Sequence, residues 1–215
     1  NLKFLEISSY RGWGLEYSKN DFDVYGIEAH EQSAIFCKTR FTSLKNKIHY
    51  NLFELSHNFL SENKKFDIIL FSQTLRHMKD PHNTIKLLSE ILNNNGYVII
   101  DESLFLDTIL EEYFDGKKKQ EYLNSIFNHG KAFYYSKDHV KYLFIINGFE
   151  FIKYEKYNSS NIEYIEEDLM LFKKTKEVKV TEYQTFNSEK YLKFDTIRDV
   201  YKEENNATEK FIIEN

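Results

Sequence analysis

The sequence predicts an α/β fold, a mostly parallel sheet of seven strands with helices on both faces and an antiparallel hairpin at its C-terminal end. Three observations predict it. Short, largely apolar runs recur at 3–7, 23–27, 47–51, 66–71 and 96–101, as expected of strands buried on both faces of a parallel sheet. Segments of helical character lie between them at 14–20, 31–40, 53–63 and 83–92, which makes the series βαβ. Two longer strand-like runs, 149–157 and 163–173, then flank Asn158-Ser159-Ser160-Asn161, a turn-forming cluster that reads as a hairpin.

Taken in order, the first run is Lys3-Phe4-Leu5-Glu6-Ile7, and it ends in a turn through Gly12 and Gly14 into the first helical segment. In the segment 83–92, Ile85, Leu88, Ile91 and Leu92 fall at helical spacing and give one apolar face. After the fifth strand the spacing changes. Residues 104–131 form an aromatic, charged stretch that reads as an inserted helix or lid. A helix over 136–147 follows, with Ser136 as its N-cap and Asn147-Gly148 supplying left-handed residues that stop it. The domain is expected to span 1–175. The remainder, 176–215, reads as a C-terminal extension, partly helical where Tyr191, Phe194, Ile197, Arg198 and Tyr201 share one face. A docked helix and a solvated tail both remain open for it.

Composition narrows the function classes. The 215 residues are 41% hydrophobic and 17% aromatic, too apolar for a disordered chain, and carry a net charge of −5. That balance disfavours a surface built to neutralise nucleic acid phosphates. A single cysteine, Cys37, excludes an intrachain disulfide and suggests a reducing, cytoplasmic location. No apolar run reaches the ~18–20 residues of a membrane span, so no membrane partner is expected. The chain opens at Asn1 directly on an apolar run, which suggests a piece of a longer polypeptide. Further segments of that polypeptide or a homo-oligomer are left open as partners. His49, His57, His82 and His139 show no zinc-ligand spacing, so no metal is expected. No G-x-S-x-G elbow or P-loop appears.

The motifs that carry chemistry begin at the first strand. Phe4-Leu5-Glu6-Ile7-Ser8-Ser9-Tyr10-Arg11-Gly12 resembles the acidic residue followed by Gly-x-Gly-x-Gly that opens class I S-adenosylmethionine-dependent methyltransferases. Ser8 and Tyr10 stand where the first two glycines are usual, and Gly12 keeps its place. A side chain at such a position crowds the ligand or strains the backbone, so the tyrosine must point away. Phe66-Asp67-Ile68-Ile69-Leu70-Phe71-Ser72-Gln73-Thr74-Leu75-Arg76-His77-Met78-Lys79-Asp80-Pro81 is similar to F-D-x-I-x-x-x-x-x-L-x-H-x-x-D-P of the small-molecule members. The run from Leu87 to Ile100 continues that resemblance, as does His129-Gly130-Lys131-Ala132-Phe133-Tyr134-Tyr135-Ser136 through Gly148-Phe149.

The resemblance covers about residues 3–173 and implies a Rossmann-like methyltransferase sheet with S-adenosylmethionine as cofactor. It implies cofactor contacts at Glu6, Ser8, Tyr10 and Gly12, at Glu28 through the ribose hydroxyls, at Asn51 and Leu52 beside the adenine, and at Ser72. It also implies a small-molecule acceptor, a sugar or nucleotide-linked sugar by family analogy. An acceptor hydroxyl would need a base. His77 is the first candidate and His129 the second, although either histidine can instead orient its own loop. Asp101 and Glu102, at the end of the fifth strand, either bind a substrate hydroxyl or are solvated. Because glycines are missing from the turn, a noncatalytic methyltransferase-like scaffold in a longer protein is the rival expectation.

Overall fold

Hydrophobic burial on both sides of the central strands organises the chain. A computed structural model describes residues 1–63, 65–78, 80–102, 135–158 and 166–175. The stretch 104–131, His129, Tyr134, part of the hairpin turn and the extension 176–215 lie outside the described residues. Seven strands are described: β1 (Lys3–Ile7), β2 (Asp23–Glu28), β3 (Ile48–Tyr50), β4 (Phe66–Ser72), β5 (Leu92–Glu102), β6 (Phe149–Asn158) and β7 (Glu166–Lys174). They form one sheet in the order β3-β2-β1-β4-β5-β7-β6. The first five are parallel to one another, and β7 runs antiparallel to both β5 and β6.

Among the described residues, five α-helices accompany the strands: α1 (Trp13–Ser18), α2 (Glu31–Arg40), α3 (His57–Asn63), α4 (Pro81–Ile91) and α5 (Lys137–Ile146). Two separate apolar clusters show how they divide. Leu15 of α1 with Ala34 and Cys37 of α2 joins Val24 and Ile48 in one cluster. Leu60 of α3, Ile85 and Leu88 of α4, and Val140, Leu143 and Phe144 of α5 join Leu5, Ile69 and Val98 in the other. Phe66, Phe71, Phe144 and Phe172 are among the largest fully buried side chains, each stabilising the fold by about 1.5–3 kcal/mol through burial. Phe144 and Phe172 stack at 4.1 Å between ring centroids, fastening α5 to β7.

Local chemistry fixes the helix ends near the site. Asp80 accepts the Asn83 N–H at 3.0 Å and Pro81 takes the first turn, so α4 starts at the carboxyl edge of the sheet. Ser136 caps α5 through the His139 N–H at 3.0 Å. Gly148 ends α5 with φ 85°, whereas Asn147 has φ −101°, so only the glycine is left-handed. The helix expected over 53–63 divides into a 3₁₀ turn, Phe53–Leu55, and α3. The Ser56 hydroxyl donates to the Leu52 carbonyl at 2.7 Å, and such a side-chain bond competes with helix propagation. β5 starts at Leu92, four residues earlier than expected, because Asn93 to Gly96 form an irregularity within the strand. Phe66 pairs with Leu92, but Ile68 pairs with Tyr97. Asn93 holds that irregularity by donating to Asp67 at 2.7 Å.

β1 connects through α1 to β2 on one side, and the chain returns from β3 through α3 to β4 on its other side, so the strand order reverses at β1. Open α/β sheets bind ligands at such a switch point. Among the described residues, no helix is long and apolar enough to cross a membrane.

Candidate functional site

The turn after β1 has an unusual backbone. Ser8, Tyr10 and Gly12 have φ of 64°, 48° and 75°, so every second residue is left-handed. That conformation costs a non-glycine residue roughly 1–2 kcal/mol, and surrounding contacts must hold it. The Ser8 and Ser9 N–H groups donate to the Ile27 carbonyl at 2.9 and 3.2 Å, and the Gly12 N–H to the Ser9 carbonyl at 2.8 Å. The Tyr10 N–H donates to Glu28 Oε2 at 2.6 Å. As the sequence requires, the Tyr10 side chain points away: it is 58% exposed, with the Arg11 guanidinium 5.3 Å from its ring centroid. The two residues that replace glycine therefore keep a glycine-type backbone. Gly12 itself cannot be replaced in this way, because a Cβ there would lie 2.2 Å from Cys37 Sγ.

Carboxylates gather beside the turn. Glu28, at the end of β2, is only 6% exposed, and its two oxygens accept the Tyr10 and His30 N–H groups, each at 2.6 Å. A carboxylate oxygen accepts two bonds, so each retains capacity for a hydroxyl. Glu6 lies between Gly26 and Leu70 in the strand register and has its oxygens against Gly14. Its Oε2 is buried without a hydrogen-bond partner. Burial, with the nearby charges of Glu28 and Asp101, pushes the Glu6 carboxyl up to about 8. Asp101, near the end of β5, accepts from Ser72 Oγ at 3.2 Å and Gln73 Nε2 at 3.4 Å.

A cavity of about 720 Å³ opens along the carboxyl edge of the strands. Of the residues selected from sequence, it brings together Ser8, Asn51, Leu52 and His77, with Ile7, Phe53, Thr74 and Met78 as neighbours. Glu6, Tyr10, Gly12, Glu28 and Ser72 are not part of its wall; they build the turn and the adjoining strand ends. His77 is exposed at the end of the 3₁₀ turn Leu75–His77, with its N–H on the Thr74 carbonyl at 2.9 Å. Asn51 is engaged within its own loop: Oδ1 accepts the Leu52 N–H at 2.8 Å, and Nδ2 donates to the Leu55 carbonyl at 3.2 Å.

Sequence reasoning overlooked Gln73 and Arg76. Arg76 forms an ion pair with Glu102 and donates to Gln73 Oε1 at 3.0 Å. Gln73 is itself left-handed, with φ 53°. Glu102 is 3% exposed, so it is not the solvated carboxylate that its position had allowed. A desolvated pair of this kind is costly to break, because the surviving charge is left buried. The only signal in the sequence was that both residues occupy unconstrained positions of the F-D-x-I segment. Cys37 is buried and its thiol is pushed up to about 11, chiefly by burial, so it is an unreactive packing group. Among the described residues, no three His, Cys, Asp or Glu side chains are grouped to hold a metal ion.

Residues 1–154 match a family model described as a methyltransferase domain. No curated protein matches the chain significantly. Solved structures share the fold. An S-adenosylmethionine-dependent methyltransferase of Methanosarcina mazei is 16% identical, with 82% of this chain and 94% of that chain covered and a TM-score of 0.57. Magnesium protoporphyrin IX methyltransferase of Synechocystis, solved with bound S-adenosylhomocysteine, is 12% identical, with 81% and 74% covered and a TM-score of 0.54. A methyltransferase of Haloferax volcanii in complex with its activator Trm112 is 9% identical, with 82% and 83% covered and a TM-score of 0.61.

Proposed function

This chain belongs to the methyltransferase-domain family of S-adenosylmethionine-dependent enzymes, and from that membership we propose that it methylates a small molecule, with a sugar or nucleotide-linked sugar as the leading class. The residues present fit the cofactor. Ser8 of the turn of alternating left-handed residues lines the cavity, and Glu28 has acceptor capacity for ribose hydroxyls. The cavity, bordered by Asn51 and Leu52, lies within the ~300–1,000 Å³ of small-molecule sites. Tyr10 contributes through its backbone N–H, and Gly12 through close packing on Cys37. Ser72 orients Asp101.

The cofactor supplies a methyl group on a positively charged sulfur, poised for in-line displacement. What remains for the protein is alignment and exclusion of water. His77, at the cavity edge, is the proposed base for an acceptor hydroxyl. His129 stays the second candidate from sequence. A reducing, cytoplasmic setting fits the buried free thiol of Cys37.

One observation carries this reading: Ser8 and Tyr10 hold a left-handed backbone of the kind that favours glycine, at the positions where the resemblance places glycines. It also weakens the scaffold alternative, whose main support was the loss of those glycines. The test is thermal stability with and without S-adenosylmethionine or S-adenosylhomocysteine. At ~100 times the dissociation constant, binding to the folded state adds ~2.7 kcal/mol, a rise of roughly 5–10 °C for a domain of this size. That shift supports the cofactor site and opens an acceptor screen with sugars. No shift at millimolar ligand overturns the enzyme reading in favour of the scaffold.

A further inference from the structure

The carboxylate beside the turn is an unresolved charge problem for the protein without cofactor. Glu6 Oε2 has no donor and is sealed from solvent. Its strand neighbours, Gly26 and Leu70, offer it nothing polar. From β2 it faces the Glu28 carboxylate, from β5 the Asp101 carboxylate, and from α2 the Cys37 thiol. α1 presents only the backbone of Gly14, while Glu16 of that helix pairs with Lys19. No Lys, Arg or His pairs with Glu6 among the described residues. A third negative charge at this point would be buried, unpaired and repelled.

Resting on the reading that the turn holds the cofactor's amino acid end, we propose that Glu6 carries a proton in the free protein and releases it to solvent when the cationic cofactor binds. The step balances simply. The Glu6 carboxyl O–H bond breaks, the proton passes to buffer, and the carboxylate left behind is compensated by the ligand's ammonium, with the sulfonium adding to this in S-adenosylmethionine. The upward displacement of the Glu6 carboxyl, to about 8, agrees with this assignment. Unlike Glu6 Oε2, the Glu28 and Asp101 carboxylates each already accept hydrogen bonds. The site thereby distinguishes a charged ligand from a neutral nucleoside of the same shape.

The experiment is isothermal titration calorimetry of the full chain with S-adenosylhomocysteine, in phosphate and in Tris at pH 7. These buffers differ in ionisation enthalpy. The expected result is a buffer-dependent heat corresponding to release of close to one proton per ligand. Affinity should rise about tenfold per pH unit between pH 6 and 7.5, a window below the titration of the ligand's own amino group. Methylthioadenosine, which has neither ammonium nor sulfonium, should bind without proton release. In Glu6→Gln the release and the pH dependence should both vanish. Equal heats in the two buffers, or proton release that persists in Glu6→Gln, overturn the proposal while leaving the cofactor site intact. Absence of binding by either ligand overturns the cofactor site and the proposal together.

Discussion

Replacing Gly12 by Ala tests whether the turn really rests on α2. Two costs separate cleanly. The backbone cost comes from φ 75°, which disfavours any L side chain by roughly 1–2 kcal/mol. The packing cost comes from the new Cβ, placed 2.2 Å from Cys37 Sγ and 3.3 Å from Cys37 Cβ. The first distance is a collision with a fully buried atom, and overpacking of this kind typically costs ~1–3 kcal/mol. Gly12→Ala should therefore lose about 2–5 kcal/mol. Cys37→Ala removes the sulfur but leaves the Cβ contact, which a shift of a few tenths of an ångström relieves. In that background the same glycine substitution should cost only the backbone share, about 1–2 kcal/mol. Urea unfolding of the wild type, both single variants and the double variant, followed by circular dichroism, gives the coupling energy directly. A coupling of ~1–3 kcal/mol is expected. If Gly12→Ala costs the same in both backgrounds, the sulfur is not what closes this position and the packing argument fails.

Other outcomes follow from the same site. Glu6 has its folded carboxyl raised from 4.5 to about 8, so the unfolded chain gives up this proton first, and its burial destabilises the fold increasingly between those two values. Glu6→Gln should consequently leave stability nearly unchanged at pH 4.5 and raise it by about 3 kcal/mol at pH 7; a difference that stays constant from pH 5 to 8 in thermal melts would contradict this. Ser8→Gly with Tyr10→Gly should move stability by no more than ~1 kcal/mol, since the relief of left-handed strain is offset by the freedom glycine adds to the unfolded chain. Cofactor affinity should change only a few-fold, and a gain of a hundredfold would show that the natural turn does not have the geometry described. His77→Ala should reduce methyl transfer by ~10²–10⁴-fold with little change in S-adenosylhomocysteine affinity, and unchanged turnover would remove it from catalysis. Asp80→Ala should cost about 1 kcal/mol through loss of the α4 cap, read by thermal unfolding.

The sheet was legible because each of its strands declares itself locally. Phe4 to Ile7, Val24 to Ile27 and Phe66 to Phe71 are apolar runs of strand length, and α4 is written in Asp80-Pro81 and the spacing of Ile85, Leu88 and Ile91. The bounds failed where side chains act on the backbone. Ser56 breaks a helix by bonding to Leu52, and Asn93 steadies an irregularity in β5 through Asp67; in both places the composition alone reads as uninterrupted helix or as turn. The site shows the same division more sharply. Which residues stand at the strand ends follows from motif spacing, but which of their atoms remain available follows from partners distant in sequence. Glu28 and Asn51 were both chosen as cofactor contacts. Glu28 accepts N–H groups from two residues, Tyr10 of the turn and His30, whereas the bonds of Asn51 close its own loop, from the Leu52 N–H and to the Leu55 carbonyl. Glu6 is the converse case: its lack of a donor is a property of Gly14, Gly26 and Leu70 together, three residues that offer it no polar side chain. A motif can name the carboxylate, but its protonation state depends on this enclosure, and for a cofactor that arrives positively charged that state decides how tightly it is held.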